Sequence, residues 1–426
     1  MQRSRSVQTF KELEKGLRVL TINQPLILFV DIVLFAIALG LLVPVCVLFV
    51  ECSAALFPNI RAERHATAPR PRIDVLVPAH NEATGIGVTL KTLLLQLTDF
   101  DRLVVIADNC DDETAAVART FGATVIERQE PDLRGKGYAL DYGLRFIAQN
   151  PPSVIVVVDA DCVVAPGTID RLARVAAAEE RPVQATYLMQ QPENPGAKDA
   201  VSALAFMVKN LVRPRGLDRL GLPCLLTGTG MAFPWSVISN TSLASSNIVE
   251  DMQLGVDLAI AGHAPVFCSD TLVTGLLPQQ QKAAKSQRTR WEHGHLQTLL
   301  TQVPRLLEAV VRQKRFDLLA IALDLCVPPL SLLVMIWAAA MGGALLAGVL
   351  GASWSPTVLL ALEGLLILIS IVGAWAKFGR ATLPVLTLLV VPLYILWKIP
   401  LYLAFLVRPQ TKWISTERDV VDAPKT

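Results

Sequence analysis

Val154-Ile155-Val156-Val157-Val158-Asp159-Ala160-Asp161 is the stretch that settles the architecture. Five β-branched residues in a row, with Pro151-Pro152 before them and Pro166-Gly167 after, predict a short strand buried on both faces, as inside a parallel sheet. Two carboxylates follow at once. In open α/β sheets ligands bind at the carboxyl ends of the strands, so Asp159 and Asp161 emerge where a ligand would sit. Two carboxylates one residue apart on a loop suit a hard divalent cation, Mg2+ or Mn2+, carried on phosphates. A polar strand-to-helix loop with Asp161 near a helix start accounts for the same residues without any ligand, and the surrounding chain has to decide between the two.

Outward from this stretch, residues 72–300 alternate short apolar runs with helical patterns. Strands are predicted at Ile73–Val77, Leu103–Ala107, Ala123–Ile126 and Val154–Val158, and helices at Val88–Leu97, Glu113–Phe121 and Tyr138–Ala148. That alternation means βαβ units and a mostly parallel sheet, an α/β fold. Right-handed crossovers bring the strand ends to one edge. Three ends are polar and acidic: Pro78-Ala79-His80-Asn81-Glu82, Asp108-Asn109-Cys110-Asp111-Asp112 and Asp159-Ala160-Asp161. Such an edge suits a nucleotide and a metal, with Asp108 accepting from a uracil or ribose and Asp161 holding the ion. For Glu82 and Asp111, helix capping and dipole compensation are the competing explanation. Arg134-Gly135-Lys136-Gly137 opens the third helix, a basic, glycine-rich turn that favours an anion but is not a Walker sequence.

Further along, Thr227-Gly228-Thr229-Gly230 either approaches a ligand or makes a tight turn. Glu250-Asp251 opens a periodic helix running to about Ala261. Gln287-Arg288-Thr289-Arg290-Trp291 supplies a guanidinium fork for phosphate oxygens and a flat ring for a sugar. His293 and His295 lack a third ligand within reach and do not make a metal site.

The composition bounds what surrounds this unit. The chain has 426 residues, 52% of them hydrophobic, and a mean hydropathy of +0.46, too apolar for an ordinary soluble protein. A net charge of +2 gives no reason to expect a nucleic-acid partner. Seven scattered cysteines without a CxxC pair argue against a disulfide framework or zinc site. Residues 1–24 are basic, and 25–57 suit one tilted membrane helix. Arg61, Arg64, Arg70 and Arg72 then place the next domain on the cytoplasmic side. An interfacial helix is expected at 301–317. The apolar segments 318–350, 356–375 and 382–407 lie within a region, 318–407, expected to make two to three spans. The last carries Pro384, Pro392, Lys398 and Pro400, and either spans or re-enters. The basic, aromatic tail 408–426 favours the cytoplasm, whereas a simple four-span count places it outside.

In this order, Asp108, Asp159-Ala160-Asp161, Glu250-Asp251 and Gln287-x-x-Arg290-Trp291, with apolar segments on both sides, resemble the membrane-bound glycosyltransferases of family 2. Cellulose, hyaluronan and poly-N-acetylglucosamine synthases are such enzymes and, more loosely, so is ceramide glucosyltransferase. The resemblance implies a glycosyltransferase-A, Rossmann-like domain facing the cytoplasm at the inner membrane. It implies a UDP-sugar as donor, with Glu82, Asp108, Lys136, Asp159 and Asp161 on the donor and Asp159 and Asp161 at a Mg2+ or Mn2+ ion. It implies Asp251, beside Glu250, as the base, and Thr229, Gln287, Arg290 and Trp291 at the diphosphate and acceptor. Val249 stands where several relatives carry Thr. The implied reaction is inverting transfer to a growing polysaccharide or lipid-linked saccharide, as in bacterial exopolysaccharide synthesis, with partner subunits of an export system. The alternative is transfer of one sugar to a membrane lipid. A transporter with a nucleotide-sensing domain is a remote third reading, resting on the intramembrane residues Asp31, Asp324, Glu363 and Lys398.

Overall fold

A computed structural model describes residues 2–58, 68–191, 196–244, 249–276 and 281–407. Arg61, Arg64 and the tail 408–426 lie outside the described residues. A 54-residue helix, α1 (Gln2–Ala55), comes first. The α/β unit then runs β1 (Ile73–Ala79), α2 (Ile86–Leu94), β2 (Arg102–Asp108), α3 (Thr114–Thr120), β3 (Thr124–Arg128), α4 (Lys136–Ile147), β4 (Val154–Val157). It continues with β5 (Cys162–Val164), α5 (Thr168–Glu179), β6 (Val183–Gln190), α6 (Ala197–Met207), a π-helical turn at Val208–Val212 and α7 (Arg213–Leu220). Then come β7 (Met231–Pro234), α8 (Trp235–Ile238), α9 (Glu250–Ile260) and β8 (Val266–Leu276). The remainder is helical: α10 (Gln281–Gln313), α11 (Phe316–Cys326), α12 (Leu330–Val349), α13 (Ser355–Ala374) with a π turn at Trp375–Gly379, and α14 (Leu386–Val407).

The eight strands form one sheet in the order β3-β2-β1-β4-β7-β6-β8-β5. β3, β2, β1 and β4 are mutually parallel, β7 runs against β4 and β6, β8 is parallel to β6, and β5 is reversed. The fold is therefore a mixed, mostly parallel sheet of the glycosyltransferase-A type. The four residues of β4 are buried on both faces, because their side chains enter two separate cores. Val154 and Val156 pack with Ile73, Val75, Leu90 and Leu172 on one side. Ile155 and Val157 pack with Leu76, Ile106, Leu140 and Phe233 on the other. Each such side chain contributes about 1.5–3 kcal/mol on burial. Chain direction across the sheet reverses between β1 and β4, and the loops after both strands flank that switch point, where an open sheet splays to admit a ligand.

Among the described residues, four helices are long and apolar enough to cross a membrane: Gln24–Ala55, Leu330–Val349, Ser355–Gly379 and Leu386–Val407. One apolar run proves to be divided, and one expected element is corrected. The run 318–350 is not one helix: α11 ends at Cys326, Val327 turns extended (φ −74°, ψ 105°), and α12 starts after Pro329. Pro328 and Pro329 have no N–H to continue the ladder, and Pro disfavours a helical residue before it. Nor is 301–317 a separate interfacial helix. Residues 301–313 complete the 33-residue α10, whose Leu306 and Ala309 pack on α9 and α11. The break comes at Lys314, held at φ +53°.

Candidate active site

One cavity of about 350 Å3 collects the loops at the ends of β1, β2 and β4 and faces them with α6, α9 and α10. After β1, His80 Nδ1 lies 2.7 Å from the Asp108 carbonyl, which ties the first two loops together. Asn81 and Asn109 take positive φ (54° and 51°), a conformation asparagine tolerates better than most residues. Asp108 is buried, and Arg128 Nη1 and Asn109 Nδ2 donate to its Oδ1 at 2.6 and 3.1 Å. Arg128 in turn lies 5.7 Å from the centre of the Tyr138 ring. Glu82 is also buried, and its carbonyl accepts from Gly85 and Ile86 at the start of α2. Asp111 is exposed on the outside of its loop, where its N–H donates to Asn81 Oδ1 at 2.8 Å.

Lys136, the first residue of α4, is the electrostatic centre. Its Nζ donates to Asp159 Oδ1 and to the Gly228 carbonyl. Burial disfavours its charge, but Asp159, Glu250 and Asp251 together hold it above the ordinary lysine range. Asp159 is raised by burial, with Lys136 opposing. Because 30% of its side chain opens to the cavity, solvent screens part of that effect. Asp251 is likewise raised by burial against Lys136. Glu250 is pushed up to about 7, first by burial and then by the Asp251 charge.

The loop Thr227-Gly228-Thr229-Gly230 brings its backbone against these groups. Gly228 sits at φ +92°, and a Cβ there would lie 3.2 Å from Asp251 Oδ2; glycine alone makes this approach without strain. Thr229, expected at the diphosphate and acceptor, is not among the residues lining the cavity. It is fully buried, and its hydroxyl accepts the Asp159 N–H at 3.0 Å. Gln184, buried in β6, clamps the same loop by donating to the Thr229 carbonyl (2.9 Å) and accepting from the Thr227 N–H (2.8 Å). A lone glutamine in a mostly apolar strand carries no motif, so its role is not legible before the fold is known.

Asp159, Asp161 and Cys162 place one donor atom each within 4.8 Å of one another. Cys162 is fully buried, its thiol donates toward Asp161 Oδ1 at 3.6 Å, and burial pushes it well above the usual thiol range. Beside it, Asp159 and Asp161 offer two hard carboxylate oxygens. That set fits Mg2+ or Mn2+ supplied with phosphate oxygens and does not fit zinc.

Gln287, Arg290 and Trp291 all line the cavity from α10. Gln287 is buried and its Oε1 has no protein partner. Trp291 packs on Phe206, ring centres 5.7 Å apart, and Phe206 meets Tyr187 edge-on at 5.2 Å. His293 and His295 diverge from the helix: His293 Nε2 lies 3.0 Å from the Leu401 carbonyl of α14, while His295 faces the cavity. Lys209 and Asn210, in the π turn, also line it. Val208-Lys209-Asn210-Leu211 looks in sequence like ordinary helix, so nothing pointed to them beforehand. Such π turns occur often at functional sites.

The site is a Rossmann-like sheet whose acidic strand-end loops meet a cation, a glycine loop and a further carboxylate pair in one cavity. The chain belongs to glycosyltransferase family 2: the family model described as "Glycosyltransferase like family 2" matches residues 69–294. It is 34% identical over 90 residues to 4,4'-diaponeurosporenoate glycosyltransferase of Staphylococcus aureus (strain MRSA252), covering 21% of this chain and 24% of that protein. It is 34% identical over 111 residues to the probable glycosyltransferase YdaM of Bacillus subtilis (strain 168), covering 24% and 26%. The chain thus spans about a quarter of the length of the curated relatives it matches. Among solved structures, the mannosyltransferase PcManGT from Pyrobaculum calidifontis, in complex with GDP-Man and Mn2+, is 20% identical. That alignment covers 86% of this chain and 99% of that one, with a TM-score of 0.48.

Proposed function

We propose that this chain is a membrane-embedded, inverting glycosyltransferase that moves a sugar from a nucleotide sugar, a UDP-sugar foremost, to a hydroxyl of a growing polysaccharide or lipid-linked saccharide. The observation that carries the reading is the meeting of Asp159, Lys136, Gly228 and Asp251 in one cavity. In this reading Asp108 and Glu82 border the nucleoside, and Arg290 faces the diphosphate with Gln287 and Trp291. Asp159 and Asp161 would hold a Mg2+ or Mn2+ ion, which supplies charge neutralisation for the departing diphosphate when bound. Lys136 holds the Asp159 carboxylate in place and adds a fixed positive charge nearby.

Asp251 takes the proton from the acceptor hydroxyl as that oxygen attacks the anomeric carbon. The new C–O bond forms on the face opposite the leaving group, the anomeric C–O bond to the diphosphate breaks, and its electron pair leaves with the nucleoside diphosphate. A single displacement inverts the anomeric centre. Arg70 and Arg72, following the first span, favour a cytoplasmic catalytic domain at the plasma membrane.

The test is turnover of purified protein in lipid nanodiscs with UDP-glucose, UDP-N-acetylglucosamine, UDP-galactose and GDP-mannose, each with Mg2+ or Mn2+ and a membrane lipid extract. Nucleoside diphosphate release with one donor is expected. Asp251→Asn is expected to abolish transfer while nucleotide still binds. Near-normal transfer in that variant removes Asp251 from the role of base.

A further inference from the structure

The cavity does not end at Asp251. Beyond it lie Lys209 and Asn210 of the π turn, His295 of α10, and the break Val327–Pro329 that separates α11 from α12. Two side chains there are more than nine-tenths buried and carry polar atoms with no partner among the described residues: Asn210 Oδ1 and His295 Nε2. An unpaired buried polar group costs about 1–3 kcal/mol, so two on one wall call for a ligand to satisfy them. Their chemistry is alike. The backbone of Leu325 and Val327 lies near the His295 ring, and among the described residues Nε2 has no partner, so the ring proton is assigned to Nδ1. Burial, then the charges of Lys209 and Arg213, hold this ring well below the usual histidine range. His295 is neutral, and Nε2, like Asn210 Oδ1, offers a lone pair that accepts a hydrogen bond.

Arg213 is matched by two carboxylates, donating to Glu51 Oε2 at 2.6 Å and to Asp324 Oδ1. Burial lowers Lys209 from the ordinary lysine range, with the Asp251 charge opposing. Two lone-pair acceptors repel the oxygens of a phosphate, and burial disfavours the lysine charge beside them.

The same cavity continues toward the candidate spans. Ala205, Leu330, Ser331 and Tyr394 line both it and a second, apolar cleft, whose other walls include Leu204, Val334, Ile371 and Val391 from α6, α12, α13 and α14.

We infer that the far end of the cavity is an acceptor site for a neutral, hydroxyl-bearing head group on an apolar tail. Asn210 Oδ1 and His295 Nε2 accept from the head-group hydroxyls, and the tail leaves through the cleft between α6, α12 and α14. The inference rests on the transferase reading above and narrows its acceptor: a neutral lipid or glycolipid fits, and a polyprenyl phosphate does not.

Two photo-reactive probes test it on the full chain in nanodiscs: an alkyl β-glucoside with a diazirine in its tail, and the same tail on a phosphate head. Adducts are mapped by peptide mass spectrometry, and UDP binding with Mn2+ is measured on the same samples. The glucoside is expected to label the walls of the α6–α12–α14 cleft. Labelling is expected to fall about tenfold or more in Asn210→Leu and His295→Leu, the scale of a lost bond to a buried acceptor. It is expected to survive in His295→Gln, whose carbonyl replaces the lone pair, with UDP binding unchanged throughout. Equal labelling of the cleft by the phosphate probe, or wild-type labelling in both leucine variants, overturns the inference. Where a leucine variant no longer binds UDP, competition on the wild type decides: free hexyl glucoside must suppress labelling and hexyl phosphate must not. Wild-type protein that takes the glucoside but not UDP fails the donor reading and leaves the head-group site standing.

Discussion

At the scale of single residues, two features of the site carry measurable consequences. Gly228 lets the loop backbone lie against Asp251, and a methyl group there meets both a disfavoured φ of +92° and an oxygen at 3.2 Å. Gly228→Ala is therefore expected to displace the Asp251 carboxylate and cut kcat by about 10²-fold, as small misplacements of a reacting group do. The KM for donor should change much less; an unchanged kcat would show that the contact does not matter. Glu250 gives a pH effect with a definite sign. Its carboxyl is held near 7 in the fold, against an ordinary value of 4.5. Between those values the folded chain binds a proton that the unfolded chain has released, so stability falls as pH rises from about 4.5 to 7. Thermal melts without nucleotide or metal should show Tm falling across that window in the wild type. In Glu250→Gln the fall should be shallower, and an identical pH profile would contradict the assigned shift.

At the scale of elements, the loop after Thr227 is held by β6 through Gln184. Gln184→Leu removes both of its bonds to the loop and leaves the Thr227 N–H and Thr229 carbonyl without them. The expected cost is about 1–3 kcal/mol of stability, with transfer reduced more than nucleotide binding, because the loop sets Asp251 and Asp159 rather than the nucleoside end at Asp108 and Glu82. Denaturation and turnover of the same preparation check this. The elements themselves differ in how far the sequence disclosed them. β1, β2 and β4 were legible because burial on both faces imposes short, mostly apolar runs rich in β-branched residues. Their acidic ends were legible because ligand chemistry needs those residue types at those ends. β5 and β7 were not, since three and four residues give periodicity nothing to work on, and antiparallel insertion is set by tertiary pairing. The double proline at 328–329 was visible, but the length of the apolar run outweighed it. Lys209, Asn210 and His295 were illegible as a group, because what joins them is one cavity, lined from α10 and a π turn some 85 positions apart in the sequence. For Thr229 the glycine-flanked setting was legible and the burial of its side chain, under the Asp159 N–H, was not.

At the scale of the whole molecule, the catalytic unit is fastened to the apolar helices by charges at two places. On α10, Glu292 accepts from Lys398 of α14, and His293 meets the Leu401 carbonyl beside Phe405. On the other side, Arg213 at the start of α7 binds Glu51 of α1 and both the side chain and carbonyl of Asp324 in α11. All three residues of this triad are buried. The helices approach so closely there that a Cβ on Gly216 would fall 1.9 Å from the Glu51 carbonyl oxygen. Arg213→Met leaves two buried carboxylates facing each other without a cation, which is expected to cost about 3–5 kcal/mol. Replacing the triad together, with Glu51→Leu and Asp324→Leu added, removes the uncompensated charge and should recover most of that loss, since well-packed apolar residues substitute for buried ion pairs at little cost. If the triad only holds the fold together, the triple variant should regain turnover along with its Tm. If it also sets how α1 and α11 border the acceptor end of the cavity, Tm should recover while the acceptor KM stays raised. The second outcome is expected, because Arg213 itself lines that cavity, and Tm and acceptor KM measured on the single and triple variants separate the two roles.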